Sequence, residues 1–169
     1  PSERNAHPHF SADEPLIAIV HNGIIENHEP IRNYLKDKGY IFLSDTDTEV
    51  IAHLIALKLK EVNDLFKAVC LATAELQGAY AIAVMEEAHP ESIVVARHGA
   101  PLLLGVGKEG NYVASDASAL LQVTRDIIYL EDGDIAVLGN HGYRIVNCLN
   151  NQFGEPVNRI VHESHLSNE

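Results

Sequence analysis

Apolar positions along this chain follow a strand period first, then a helical period, then a strand period again. Residues 16–20 form an unbroken apolar run of strand length, with a short extended continuation at Ile24 and Ile25. A helix is predicted over 28–38, with Asn27 placed to cap it, Ile31, Tyr34 and Leu35 on one face and Gly39 to end it. Residues 41–43 predict a short strand. Thr46-Asp47-Thr48-Glu49 reads as a capping box, in which Thr46 accepts the Glu49 amide and Glu49 reaches back to the Thr46 amide. The helix opened there carries Val50, Ile51, Leu54, Ile55 and Leu59 as a buried stripe. Asn63 is placed to cap the next helix, which turns Leu65, Val69, Ala72 and Leu76 inward and ends near Gly78.

Beyond residue 79 the pattern is all strand. Residues 79–85, 92–96, 102–106 and 112–114 are rich in Val, Ile, Leu and Tyr, and a brief helix is predicted over 116–122. Three more strands, 127–130, 134–138 and 143–149, read as an antiparallel meander because Asp132-Gly133 and Asn140-His141-Gly142 are short links. Helices followed by hairpins predict an α+β fold with antiparallel sheet rather than a doubly wound parallel one. From Asn150 the chain turns polar. The expected organisation is one domain over 1–149 and a loosely held tail or linker over 150–169.

Composition narrows the function classes. A chain of 169 residues is enough for one domain with a real core, burying about 70% of its unfolded surface. Twenty-four acidic residues against 12 basic ones give a net charge of −12, which repels phosphate backbones and anionic lipid, so neither nucleic acid nor membrane is an expected partner. No apolar run reaches the ~20 residues of a membrane helix and no signal-peptide core is visible, which predicts a cytoplasmic protein. Cys70 and Cys148 show no pairing pattern, so both are expected to pack as small buried hydrophobes in a reducing compartment.

The densest chemistry lies in His21-Asn22-Gly23-Ile24-Ile25-Glu26-Asn27, at the mouth of the first strand. Asn22 can offer a side-chain N–H, and Gly23, lacking a Cβ, lets its backbone N–H approach a reacting carbonyl: the donors an oxyanion needs. The competing reading of Asn-Gly between apolar runs is a hairpin turn. His7-Pro8-His9 could be a metal pair, but two histidines without a nearby third ligand suit zinc poorly, and no metal or cofactor is expected. His21, His53, His98 and His141 are scattered and read as satisfied polar residues. Pro1 carries a secondary amine of the kind small tautomerases use as a base, with nothing else in the chain to match them.

Asn5-Ala6-His7-Pro8-His9, the His21 to Asn27 run followed by His28, Asp45-Thr46-Asp47-Thr48-Glu49-Val50, Gly78-Ala79-Tyr80-Ala81 and Ser115-Asp116 before Ala119-Leu120 occur in one order. Together they resemble the glutaminase domains of class II glutamine amidotransferases, and the Ile-Ile-Glu-Asn continuation favours the glutamine–fructose-6-phosphate aminotransferase branch over amidophosphoribosyltransferase. The resemblance covers nearly all of the chain, to about residue 137. It implies a four-layer αββα sandwich of the N-terminal-nucleophile hydrolase fold, N-terminally truncated, and L-glutamine as substrate. Asn22 and Gly23 would form the oxyanion hole. Asp47 would hold the α-ammonium of glutamine, a role that suits a carboxylate favoured by a helix N-terminus. His7 would stand near the nucleophile.

The resemblance also places the nucleophilic cysteine, whose α-amino group is its base, and an arginine-bearing element upstream of Asn5, and a sugar isomerase domain downstream. The sequence begins at Pro1, so the expectation is a fragment of the enzyme that makes glucosamine 6-phosphate from fructose 6-phosphate, inactive on its own. A non-catalytic module that self-associates through open sheet edges, as a homo-oligomer, is the other reading.

Overall fold

Successive residues on the central strands of this protein bury into two different cores. Val94 faces one and Val95 the other, as the two-residue period of a strand covered on both faces demands. The computed structural model describes residues 3–11, 15–140 and 142–164, so Pro1 and His141, singled out above, lie outside the described residues. After a 3-10 turn at Glu3–Asn5, the chain runs through β1 (His9–Phe10), β2 (Ile17–Asn22), α1 (His28–Asp37), α2 (Asp47–Val62), α3 (Leu65–Thr73), β3 (Tyr80–Glu86) and β4 (Ile93–His98). It continues with β5 (Leu103–Val106), β6 (Asn111–Ala114), α4 (Ala117–Leu120), β7 (Asp126–Tyr129), β8 (Asp134–Gly139), β9 (Gly142–Asn147), β10 (Glu155–Pro156) and β11 (His162–Glu163).

The strands form an antiparallel seven-stranded sheet in the order β1-β2-β3-β4-β8-β9-β10 and a four-stranded one in the order β11-β7-β5-β6. On the outer face of the large sheet, Ile19, Ile82, Val84, Val94 and Val146 pack with Leu35 of α1, Ile51, Leu54 and Ile55 of α2, and Val69 of α3. Between the sheets lie Ala81, Val95, Ala136 and Ile145 on one side and Leu104 and Ile128 on the other. Beyond the small sheet, Leu103 and Ile127 meet Leu120 of α4. The layer order is αββα, with the second helical layer reduced to α4.

Several local expectations are corrected. Residues 41–43 form no strand, because the amides of Leu43 and Ser44 donate to the Glu49 carboxylate at 2.6 to 3.1 Å instead of to a neighbouring strand. The capping box is therefore half made: Thr46 Oγ1 accepts from the Glu49 amide at 3.4 Å, while Glu49 turns to the 43–44 loop and to His53. Asn63 ends α2 in a left-handed conformation with φ 53°, and Asp64 caps α3 by accepting the Lys67 amide at 2.9 Å. Asn27 makes no side-chain cap on α1. It accepts the Gln77 amide at 2.9 Å and donates to the Glu75 carbonyl at 2.8 Å, tying α1 to the turn before β3.

The expected three-strand meander is also split. β7 pairs with β5 in the small sheet, and Asp132-Gly133 carries the chain across to β8 in the large one. Nor is the segment after 150 loose where it is described: β10 extends the large sheet beside β9, and β11 pairs with β7. A carboxylate anchors it. Asp134, fully buried, accepts from Arg159 Nε and Nη at 2.9 and 2.8 Å, as well as from the Glu131 amide and the Asn147 side chain.

Candidate active site

At its C-terminal end β2 leads into a backbone crossing that only glycine permits. Gly23 has φ +114°, and a Cβ there would stand 2.3 Å from the Ala79 carbonyl oxygen. Facing it, Gly78 has φ +115° and would bring a Cβ within 2.3 Å of the Ile24 carbonyl oxygen. Between them the Ala79 amide donates to Ile24 at 3.0 Å and the Glu26 amide to Gln77 at 2.8 Å. This is a bridge rather than the tight Asn-Gly hairpin that competes on sequence grounds, since β2 pairs next with β3 across 57 residues of intervening chain, from Gly23 to Ala79. The crossing leaves Asn22 exposed at the strand end, opposite Ala81.

Asn22 lines a cavity of about 300 Å³ that opens between the two sheets. His7 and His21 line it too, and its far wall is Val113 of β6 with Leu102 and Ser115, which adjoin the small sheet. Asp47 stands behind His21 in the first turn of α2. Its Oδ2 accepts the Ile25 amide at 2.8 Å, and its Oδ1 lies 3.9 Å from His21 Nδ1. The four residues singled out from sequence therefore converge on one end of β2, although Gly23 and Asp47 flank the cavity and only Asn22 and His7 form its wall.

The connecting groups were not legible in the sequence. Thr48, buried, sets its Oγ1 3.3 Å from His7 Nε2 and 3.1 Å from His21 Nδ1, so one hydroxyl joins two imidazoles. His21 is therefore not a bystander: burial holds its pKa below the ordinary value, with the Asp47 carboxylate pulling the other way. His9 is likewise lowered, by burial and then by the adjacent His7. His9 Nε2 lies 3.3 Å from Thr46 Oγ1, so His9 is spent on the loop before α2 while His7 meets Thr48 in the first turn of that helix. Among the described residues, no group of three or more His, Cys, Asp or Glu side chains is placed to hold a metal ion.

Arg32 holds that loop from beneath. Buried on α1, it donates to the carbonyls of Ser44, Asp45 and Thr46 at 3.3, 3.2 and 3.0 Å, with its guanidinium 4.8 Å from the Phe42 ring centroid. Glu49 holds it from the other side. Burial pushes the Glu49 carboxyl up, but hydrogen bonds from Ser44, Leu43 and His53 together hold it below the usual carboxylate range. Arg32 and Glu49 thus bracket residues 43–46 and fix the angle at which α2 presents Asp47. An arginine in an amphipathic helix gives no sequence signal of this kind, because most are solvated.

Neither cysteine is at this site. Cys70 sits on the buried face of α3 and Cys148 follows β9; both line a separate cavity beyond Tyr80. The cavity at Asn22 thus offers a side-chain amide and imidazoles, with the Gly23 backbone and the Asp47 carboxylate beside it. That set can bind an amino acid by its ammonium and stabilise negative charge on a carbonyl oxygen.

Comparison with known proteins places the chain in a family. The family model described as "Glutamine amidotransferase domain" matches residues 1–122. The glutamine–fructose-6-phosphate aminotransferase [isomerizing] of Haemophilus influenzae is 49% identical over 169 residues, which is 100% of this chain and 27% of that protein. The enzyme of the same name from Pseudomonas syringae pv. tomato is 56% identical over 165 residues, covering 98% of this chain and 26% of that one. This chain thus spans about a quarter of the length of the curated relatives it matches. Among solved structures, the glutamine phosphoribosylpyrophosphate amidotransferase of B. subtilis, complexed with ADP and GMP, superposes with a TM-score of 0.74 at 26% identity, over 89% of this chain and 33% of its own. A glutamine aminotransferase class-II domain protein from Silicibacter pomeroyi shares the fold, with a TM-score of 0.61 at 20% identity.

Proposed function

Because the chain belongs to the glutamine amidotransferase domain family, we propose that it carries the glutamine-binding and oxyanion-stabilising half of a glutaminase site. The observation that carries this reading is the convergence of Asn22, Gly23 and Asp47 on one end of β2, with Asp47 held there by the Ile25 amide at 2.8 Å. One oxygen of Asp47 is committed to that amide, and the other is available to the α-ammonium of L-glutamine.

With the amino acid held so, its side-chain amide extends toward Asn22 and Gly23. A nucleophile attacking the amide carbon drives the carbonyl π electrons onto oxygen, and the Asn22 side-chain N–H and the Gly23 backbone N–H stabilise that charge. Each such donor is worth about 3 kcal/mol in the transition state. Collapse then expels ammonia. His7, joined through Thr48 to His21, takes the place near the attacking group that the family resemblance gives it. That group is an N-terminal cysteine by family resemblance. Cys70 and Cys148 do not take its place, since both line the other cavity.

For the parent protein, the reading is ammonia supply to glucosamine 6-phosphate synthesis from fructose 6-phosphate, with residues 150–169 leading toward a sugar isomerase domain. Identities of 49% and 56% to glutamine–fructose-6-phosphate aminotransferases, against 26% to the phosphoribosylpyrophosphate enzyme, favour that substrate over the purine precursor.

Calorimetric titration of the chain with L-glutamine tests the site. Weak binding is expected, lost on Asp47→Asn, where the amide oxygen can still accept from Ile25 but the charge is gone. Equal heats from L- and D-glutamine, or unchanged binding in the variant, would refute it.

A further inference from the structure

The chain has two cysteines, and the fold brings them together. Cys70 lies on the inward face of α3, 1% exposed, and Cys148 immediately follows β9, half-buried and packed against the same core. Their thiols are near enough for each to alter the ionisation of the other. Both line one cavity of about 220 Å³, with Thr73, Tyr80, His98 and Gln152 around its mouth. Gly154, at φ +82°, folds the loop back over Cys148, where a Cβ would lie 3.1 Å from Sγ and closer still to Val146. Two cysteines that merely filled core volume would need neither each other nor an opening.

We propose that Cys70 and Cys148 form a reversible dithiol–disulfide couple, oxidised by hydrogen peroxide or by a low-molecular-weight disulfide that enters this cavity. Cys148 is the attacking sulfur. It is the more accessible thiol, and Cys70 holds its pKa below the ordinary value, while Cys148 and then burial push the Cys70 thiol up. With peroxide, the Cys148 thiolate takes one oxygen, the O–O bond breaks, and hydroxide leaves as water after taking up a proton. The Cys70 sulfur then attacks the Cys148 sulfenic acid, forming the S–S bond and expelling a second water. With a small disulfide, Cys148 displaces one small thiol and Cys70 displaces the other. In a reducing compartment such a pair cycles rather than serving as a permanent staple.

The test uses the purified full chain, reduced and then exposed to hydrogen peroxide or glutathione disulfide at neutral pH. Both thiols should disappear together in a product that has lost two hydrogens per chain and runs as a single chain on non-reducing denaturing electrophoresis. Digestion should release one peptide pair joined through Cys70 and Cys148, and dithiothreitol should restore both thiols. In Cys70→Ser, dimedone should label Cys148 after peroxide; in Cys148→Ser, Cys70 should stay unlabelled. Two persistent thiols under oxidant that converts free glutathione fully, or Cys148 oxidised alone with Cys70 still reduced, would overturn the proposal. Labelling of Cys70 in Cys148→Ser would overturn the order of attack.

Discussion

Gly23 and Ala79 are in backbone contact: a Cβ on residue 23 would be 2.3 Å from the Ala79 carbonyl oxygen, closer than any non-bonded pair tolerates. The donor needed for an oxyanion and the crossing that joins β2 to β3 thus share one residue. Gly23→Ala is expected to lose about 3 kcal/mol or more of folding stability, from a positive φ combined with a main-chain clash. Urea unfolding followed by circular dichroism measures this. A loss below about 1 kcal/mol would mean the crossing can open without consequence.

Stability should also depend on pH in two separable windows. The pKa values of His9, His21 and His53 are all lowered by burial, so between 6.5 and their folded values the unfolded chain binds protons that the folded chain refuses. Stability therefore falls as pH drops below about 6.5. The Glu49 carboxyl is depressed, so its contribution is present above its unfolded value of 4.5 and is lost as pH falls through its folded value. Urea midpoints from pH 8 downward should decline in both windows. Glu49→Gln should flatten the lower window and deepen the upper, because the Glu49 carboxylate raises the pKa of His53 and of His9; equal slopes for variant and parent below pH 4.5 would contradict this.

Asp134 has no exposed side-chain surface, and Arg159 supplies its countercharge through two hydrogen bonds at 2.8 and 2.9 Å. Removing the partner of a buried carboxylate typically costs about 3–5 kcal/mol, most of it for the charge left unpaired. Arg159→Ala is therefore expected to lose about 3 kcal/mol in thermal or urea unfolding. Arg159→Lys should recover only part, because an ammonium cannot meet both carboxylate oxygens in the planar fork that guanidinium makes. A neutral Arg159→Ala would show the pair to be dispensable.

Self-association is expected as well. β6 forms one edge of the small sheet and β1 one edge of the large sheet, leaving backbone groups on the outer sides of both without a strand partner among the described residues. Exposed Ile24, Ile41 and Leu43, each about 70% accessible, add apolar surface on the helical side of the molecule. Light scattering at micromolar concentration should report dimers or larger species. A monodisperse monomer would exclude this behaviour.

Much of the fold could be read from periodicity. The stripe Val50, Ile51, Leu54, Ile55 and Leu59 marks α2, Asn22 and Gly23 could be singled out by residue type and position, and Asp47 by the resemblance to class II amidotransferases. What periodicity leaves open is the partner of each polar group. Ile41 to Leu43 looks like a strand until Glu49, beyond it in the chain, is seen to take the loop's amides. Asp132-Gly133 has the composition of a hairpin turn, but the Leu130 amide donates to Leu102 and keeps β7 in the small sheet. Asp134 and Arg159 are an acid and a base 25 residues apart, in a stretch that reads as polar and solvated until burial pairs them. Periodicity reports which face is apolar; it carries no information on which polar group satisfies which.

The hydroxyl of Thr48 has a single hydrogen to share between His7 and His21, 3.3 and 3.1 Å away. If His21 receives it, the His7 ring must supply the proton for its own link, and the reverse holds when His7 receives it. Tautomer choice in one ring therefore dictates tautomer choice in the other. One hydroxyl hydrogen thus ties the ring nearest Asp47 to the ring of His7 across the cavity wall.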